Sequence, residues 1–348
     1  MANKKSGAEI FWECLIDEGV EVVFGYPGAA TLPLYGVLDA YAGQIRHVLT
    51  RHEQGATHMA DGYARTSGKV GVALATSGPG ATNMVGAIAT AMRDASPIVC
   101  ITGQVSSTAI GSDAFQEVDM VDITEPITKH NYLVETTTDL AETIADAFDL
   151  ARTGRPGPVL VDIPKDILTG IIEFVPANGS NRSARYAQKK ADTGVGASRE
   201  LIHGNMSAAI GASFYRKNEE IWVVESNTST QIRIEELATM VQENANVKVI
   251  VVNSNSTTAR NFSQPDYYKL AQAYGMPGYR IRNIRDIFPV IHLSRAHRGP
   301  VLIESTVEIY DLYAMLSAHP VLHQIFRRSY AHSVPTKISE GAELIKIA

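Results

Sequence analysis

Glu53 stands in the stretch of this chain best suited to chemistry. The stretch runs Arg51-His-Glu-Gln-Gly-Ala-Thr-His-Met-Ala-Asp-Gly-Tyr-Ala-Arg65, with the short apolar run Ile45 to Leu49 before it and Val70-Gly-Val-Ala-Leu-Ala-Thr76 after it. That order reads as strand, helix, strand, so Glu53 falls on the opening turn of a helix beside the carboxyl end of a strand. Ligands of open α/β sheets collect there, and a carboxylate so placed can trade a proton with one. The same residue also reads as an acidic N-terminal side chain that favours the helix dipole. Ser77-Gly-Pro-Gly80 opens a helix and can cradle an anion with backbone N–H groups, although Gly and Pro after a strand also simply make the turn. His319 and His323 are four apart, a spacing suited to a metal on a helix, but no carboxylate is near in sequence and Pro320 disturbs that helix.

The elements that must hold Glu53 follow from hydrophobic period. Ala8 to Glu18 has helical spacing, and Val20 to Phe24 reads as a buried strand broken by Gly25-Tyr-Pro-Gly28. After the Glu53 helix come a strand over 70–76, a helix over 82–93, a strand over 97–102, a helix over 140–153 and a buried strand over 157–163. A second unit shows helices over 206–215, 232–243, 267–274 and 284–293 and strands over 220–224, 247–253 and 300–304. Strands alternating with helices require sheets that are mostly parallel and covered on both faces, so the fold class is α/β with two doubly wound, mostly parallel sheets. Asn178 to Lys190 is polar, basic and poor in large apolar residues, which suits a linker. The division expected is a first domain over 1–166, a linker over 167–200, a second domain over 201–310 and a tail over 311–348. The tail is amphipathic and aromatic around Tyr310 to Arg328 and suits covering a cleft or a subunit contact.

Composition narrows the function classes. With 348 residues, 45% hydrophobic and 20% charged, the chain has room for two ordinary domains. A formal net charge of -6 argues against a nucleic-acid or anionic membrane surface. Cys14 and Cys100 sit in apolar patterns and read as buried thiols of a reducing compartment. The polar start Met-Ala-Asn-Lys-Lys and the lack of a long apolar run make the cytoplasm the expected location, with no membrane partner.

Several motifs together resemble the large catalytic subunit of acetolactate synthase: Phe24-Gly-Tyr-Pro-Gly28, the Arg51 to Arg65 stretch, Ser77-Gly-Pro-Gly-Ala-Thr-Asn83, Ile101-Thr-Gly-Gln-Val105, Asp113-Ala-Phe-Gln-Glu117 and Thr128-Lys-His-Asn-Tyr-Leu133. Ile234-Glu-Glu-Leu-Ala-Thr-Met240 and Tyr268 to Gly278 are similar to the diphosphate-binding domain of the same family. The resemblance implies a thiamine diphosphate fold with a pyrimidine-type domain first and a diphosphate-type domain second. It implies that Glu53 hydrogen-bonds the aminopyrimidine ring, that Gln116 and Phe115 face the reacting carbon, and that Lys129 stands at the entrance. Pro27, Gly28, Ala29 and Asn83 would line the same pocket. The cofactor would carry the chemistry and the protein would supply geometry and acid/base tuning.

The chain departs from the family pattern at the phosphate end. Ser226-Asn-Thr-Ser229 stands where the family has Gly-Asp-Gly-Ser, so Asn227 and Asn253 are neutral at the positions expected to hold Mg²⁺, an ion that favours anionic oxygen. No space remains for the middle domain associated with FAD, and FAD is not expected. Ala29 stands in place of a second Gly. These departures lead to the expectation of an acetolactate synthase-like enzyme, a lyase or transferase. It would act on a small carbonyl or 2-oxo acid compound between the two domain types of neighbouring subunits. Glu53, Gln116 and Lys129 would be its catalytic set, with thiamine diphosphate relaxed or abandoned and no metal. Two alternatives remain open: a true thiamine diphosphate-dependent decarboxylase or carboligase, and a half-site subunit that works with a paralogous thiamine diphosphate subunit. Because the resembled family forms its site between subunits, the resemblance implies a homodimer or homotetramer.

Overall fold

The computed structural model describes residues 3–174, 202–203, 205–253, 264–308, 311–312 and 314–315. Most of the expected linker and of the tail, including His319 and His323, lies outside the described residues. The chain divides into two compact units, the first made of Met1–Ala197, Met206–Glu219 and Arg233–Asn246 and the second of Ser198–Asn205, Glu220–Ile232 and Val247–Ala348.

The first unit holds β1 (Asn3–Ser6), α1 (Gly7–Asp17), β2 (Val22–Gly25), α2 (Leu32–Val37), β3 (Arg46–Leu49), α3 (Glu53–Ser67), β4 (Gly71–Ala75), α4 (Pro79–Thr82), α5 (Val85–Asp94), β5 (Ile98–Gln104), α6 (Met120–Thr124), β6 (His130–Leu133), α7 (Leu140–Arg152), β7 (Val159–Pro164), α8 (Lys165–Thr169) and β8 (Ile171–Phe174). Its six-stranded sheet runs β3-β2-β4-β5-β7-β6 and every pairing in it is parallel. β4, β5 and β7 are buried along their whole length, which is why they read as nearly continuous apolar runs and not as alternation. On one face, α1 and α7 bury Ile10, Phe11, Leu15, Leu140, Ile144 and Phe148 against Val72, Val99 and Val161. Trp12 is fully buried there, and its indole N–H donates to the carbonyl of Leu34 at 2.9 Å.

α3 has clear physical limits. His52, in extended conformation, accepts the amide N–H of Gln54 on Nδ1 at 3.1 Å, and Gly68 ends the helix at φ 67. Its inward face packs on α9 (Met206–Tyr215), which belongs to the same unit. A Cβ on Gly62 would lie 1.9 Å from the carbonyl oxygen of Ala208, and one on Gly211 would lie 1.9 Å from that of Met59. The two helices thus meet backbone to backbone through one glycine on each. α11 (Glu236–Gln242) completes the unit.

The second unit carries a five-stranded sheet in the order β12 (Gly278–Ile281), β13 (Val301–Ser305), β11 (Val247–Val252), β10 (Ile221–Ser226) and β9 (Ile202–His203), again with every pairing parallel. Its helices are α10 (Asn227–Ile232), α12 (Tyr267–Ala273) and α13 (Ile287–Ala296). Trp222, Val224, Ile250, Ile281, Ile287 and Ile303 form the core of one face. Lys248 is buried within β11, where its ammonium donates to the carbonyls of His297 at 2.9 Å and Gly299 at 2.5 Å. Burial pushes that ammonium down to about 8. Two doubly wound parallel sheets are therefore present, as the period of the sequence requires. Cys14 and Cys100 are buried thiols. No helix among the described residues is long and apolar enough to cross a membrane.

Candidate functional site

The carboxyl ends of β2, β3, β4 and β5 gather the residues around Glu53. Glu53 is 7% exposed, and its Oε2 accepts a hydrogen bond from the Asn83 amide at 2.9 Å. Oε1 has no hydrogen-bond partner among the described residues and lies 3.1 Å from where a Cβ on Gly80 would stand. Gly80 therefore keeps open the space beside the one carboxylate oxygen that remains available. Thr76 packs beside the same glycine: its hydroxyl accepts the Ala30 amide at 3.2 Å, and its methyl would lie 2.4 and 2.8 Å from a Cβ on Gly28 or Gly80. Pro27 and Gly28 are half-buried and Ala29 is exposed on the turn after β2.

Gln116 comes to this place through its backbone. It holds φ 62, and its Cα, Cβ and carbonyl stand 2.8–2.9 Å from where Gly78 would carry a Cβ, so the 114–118 loop rests directly on the Ser77-Gly78-Pro79-Gly80 turn. Gly78 itself has φ 61, which only glycine adopts without cost. Phe115 projects from that loop and is 88% exposed. A buried network fixes the loop from behind. The Asp162 carboxylate accepts the Thr102 hydroxyl at 2.7 Å and the Gln104 amide at 2.9 Å, and the same amide donates to the Val118 carbonyl at 2.8 Å. Burial pushes the Asp162 carboxyl up to about 7 against these two donors. Sequence reading passed over Asp162 and Gln104; a carboxylate inside a fully buried apolar run was the available signal.

Lys129 is elsewhere. It precedes the amino end of β6, whereas Glu53 follows the carboxyl end of β3, so in a parallel sheet they sit at opposite edges. Its ammonium donates to the carbonyls of Leu150 and Thr153, the latter at 2.6 Å, and so caps the end of α7. The structure brings Glu53, Asn83, Gly28 and Gln116 together and leaves Lys129 out of that group.

In the second unit, Asn227 and Asn253 also lie at carboxyl strand ends, after β10 and β11. Their amides meet one another, Asn227 Nδ2 donating to Asn253 Oδ1 at 3.4 Å. The Asn253 amide donates in turn to Glu304 at 2.9 Å, and the other oxygen of Glu304 accepts Arg280 Nε at 2.9 Å. Arg280 also pairs with Asp266. The backbone carbonyl of Asn227 accepts the Tyr267 hydroxyl at 3.0 Å. The Asn227 side-chain N–H, both side-chain polar atoms of Asn253 and both oxygens of Glu304 thus have partners.

Two family models match the chain in the same order as the two sheets. The model described as the thiamine pyrophosphate enzyme N-terminal TPP binding domain matches residues 5–123, and that of the C-terminal TPP binding domain matches residues 201–305. The chain belongs to the thiamine pyrophosphate enzyme family. Among curated proteins, the acetolactate synthase large subunit of Buchnera aphidicola subsp. Schizaphis graminum is 57% identical over 236 residues, which is 66% of this chain and 39% of that protein. The large subunit from Haemophilus influenzae is 58% identical over 164 residues, 47% of this chain and 28% of that protein. The isozyme 3 large subunit of Escherichia coli is 58% identical over 163 residues, with the same two shares. The chain thus spans well under half the length of these thiamine pyrophosphate family relatives. Between the two family matches stand residues 124–200, which carry β6, α7, β7, α8 and β8 and leave no middle domain.

Proposed function

We propose that this chain is an acetolactate synthase-like enzyme that moves a proton next to the carbonyl of a small 2-oxo acid type compound, with Glu53 as the acid and base. The observation that carries the reading is the asymmetry of the Glu53 carboxylate. One oxygen is fixed by Asn83 and the other, beside Gly80, has no partner among the described residues, so the group is oriented yet able to take a proton. In the proposed step the free Oε1 takes a proton from the carbon beside the carbonyl and returns it, while the Asn83 amide holds Oε2 in place. The 114–118 loop with Gln116 and Phe115 rests on the Ser77–Gly80 turn and would set which compound fits.

The residues around Glu53 fit an aminopyrimidine ring, because the carboxylate oxygen beside Gly80 has no partner among the described residues and can accept a ring N–H. Asn227 and Asn253 do not fit a Mg²⁺ ion holding a diphosphate. Both are neutral, their amides bond each other and Glu304, and Glu304 is paired with Arg280. For this reason no step of the proposal passes through thiamine diphosphate. The working form is proposed to be a homodimer or homotetramer located in the cytoplasm.

The test is proton exchange on pyruvate, the simplest 2-oxo acid with protons beside its carbonyl, followed by NMR in D₂O. The chain should wash the methyl protons out, and Glu53→Gln should lose that exchange. Unchanged exchange in Glu53→Gln, or none with the unaltered chain, overturns the proposal. Exchange or decarboxylation that appears only with thiamine diphosphate and Mg²⁺ supports a decarboxylase or carboligase instead, and activity only after adding a paralogous subunit supports a half-site role.

A further inference from the structure

Glu236 is fully buried on α11, an unusual place for a carboxylate in a helix whose inward face is otherwise Leu237, Thr239 and Met240. Its partners explain it. Oε1 accepts the backbone N–H of Arg51 and that of His52, both at 3.0 Å, and Oε2 accepts the Thr239 hydroxyl at 2.6 Å. Arg51 and His52 are the two residues between the end of β3 and the first residue of α3, which is Glu53. Two more contacts reach the last turn of α11 and the residue after it: Arg51 with Gln242 at 2.7 Å, and Arg46, at the start of β3, with Glu243 at 2.5 Å. Gly55, in the first turn of α3, leaves room for the carboxylate, since a Cβ there would lie 2.1 Å from Glu236 Oε1.

We propose that Glu236 is a positioning residue for Glu53: its carboxylate fixes the two amides of the turn that aims Glu53, and so sets where the Glu53 oxygens stand. The functional half of this inference rests on Glu53 being the acid and base proposed above; the structural half does not. One oxygen that receives two adjacent N–H groups fixes the orientation of both peptide planes, and His52 then turns its ring back to cap Gln54. A shift of α11 would pass straight into the start of α3. Burial pushes the Glu236 carboxyl up, while the Thr239 hydroxyl and the two amides pull it down. What matters for position is the length of the side chain and an acceptor oxygen at its end.

This separates two substitutions. Glu236→Gln keeps the length and an amide oxygen able to accept both N–H groups, with the Thr239 hydroxyl free to turn round and accept from the new NH₂. Glu236→Asp keeps the charge but withdraws the oxygen by one methylene. Amide hydrogen exchange of the full chain, read by mass spectrometry on peptides over residues 50–54, should rise about ten- to a hundredfold in Glu236→Asp, the loss expected for buried N–H groups without partners. In Glu236→Gln it should stay within about threefold of the unaltered chain, because the acceptor remains in place. Pyruvate exchange should follow the same order, with Asp impaired in its limiting rate and Gln restored. Equal protection in Glu236→Asp and the unaltered chain overturns the inference, as does equal loss in both variants. If the chain does not exchange pyruvate protons, the proposed function fails while the amide protection still decides the role of Glu236.

Discussion

The backbone contact between α3 and α9 gives the sharpest prediction about stability. Replacing Gly62 by Ala puts a Cβ 1.9 Å from the Ala208 carbonyl oxygen, where real contacts stay above 3.0 Å, so the helices must part by about 1 Å or more. Other atoms meet the new methyl as well: the Ala208 carbonyl carbon at 2.6 Å and its Cα at 2.7 Å, all of them backbone that cannot rotate away. Overpacking of this kind costs about 1–3 kcal/mol. Ala returns roughly 0.8–1.0 kcal/mol over Gly in a helix interior, and with three backbone atoms in the way the cost lies at the upper end of the overpacking range, so the net loss is up to about 2 kcal/mol. A loss of about 2 kcal/mol corresponds to a fall in Tm of roughly 4–8 °C for a domain of this size. Gly36→Ala in α2 is the control, because nothing lies within 4 Å of its Cβ and the same propensity gain acts alone. Differential scanning calorimetry of both variants should show Gly62→Ala melting below the unaltered chain and Gly36→Ala at or above it. Gly62→Ala together with Gly211→Ala should cost less than the sum of the two, because the first opens the seam that the second also needs. Equal melting of Gly62→Ala and Gly36→Ala would refute the argument.

Three further outcomes follow from other residues. Ala95 ends α5 at φ 56 and ψ 40, a left-handed conformation costly for a residue with a Cβ, so Ala95→Gly should raise thermal stability by about 0.5–1 kcal/mol, read from denaturant unfolding. Asp162 has a folded carboxyl near 7 against 3.8 in the open chain, so its contribution to stability is present below pH 3.8 and is lost as pH rises through 7. Unfolding free energies measured from pH 5 to 8 should therefore fall with a slope that Asp162→Asn lacks. Lys129→Met should cost about 1 kcal/mol by uncapping α7 and leave pyruvate exchange unchanged, a result that fails if exchange drops in step with Glu53→Gln.

Much of this architecture was legible because its signals are local. α3 begins after His52 and ends at Gly68, within the span its flanking strands allow, and β4, β5 and β7 show the unbroken apolar runs of strands buried on both faces. What was missed is short or marginal. β1 pairs with β8 far along the chain, and its Asn3-Lys-Lys-Ser6 sequence has no apolar alternation to reveal it. β6 is an edge strand of His130-Asn-Tyr-Leu133, only half-buried. α2 contains Pro33 and Gly36, which suppress a helical reading although Pro is well placed in a first turn. The Glu53 neighbourhood could be assembled by motif order, yet the partners that fix it could not: Glu236 meets Arg51 across 185 positions. Lys129 shows the converse. Its motif position suggested an entrance, while the parallel sheet carries it to the opposite edge. A parallel strand keeps its two ends on different faces of the chemistry, and one residue's place at either end decides its role.

The proposed chemistry depends on the contrast between a Glu53 oxygen with no partner among the described residues and an Asn227–Asn253 pair bonded to one another and to Glu304. Isothermal calorimetry of the chain with thiamine diphosphate, with Mg²⁺ and then with a chelator in its place, tests it most directly. The account predicts weak binding, with Kd near or above about 1 mM, that does not change when Mg²⁺ is removed. Micromolar binding that disappears with the chelator would contradict it.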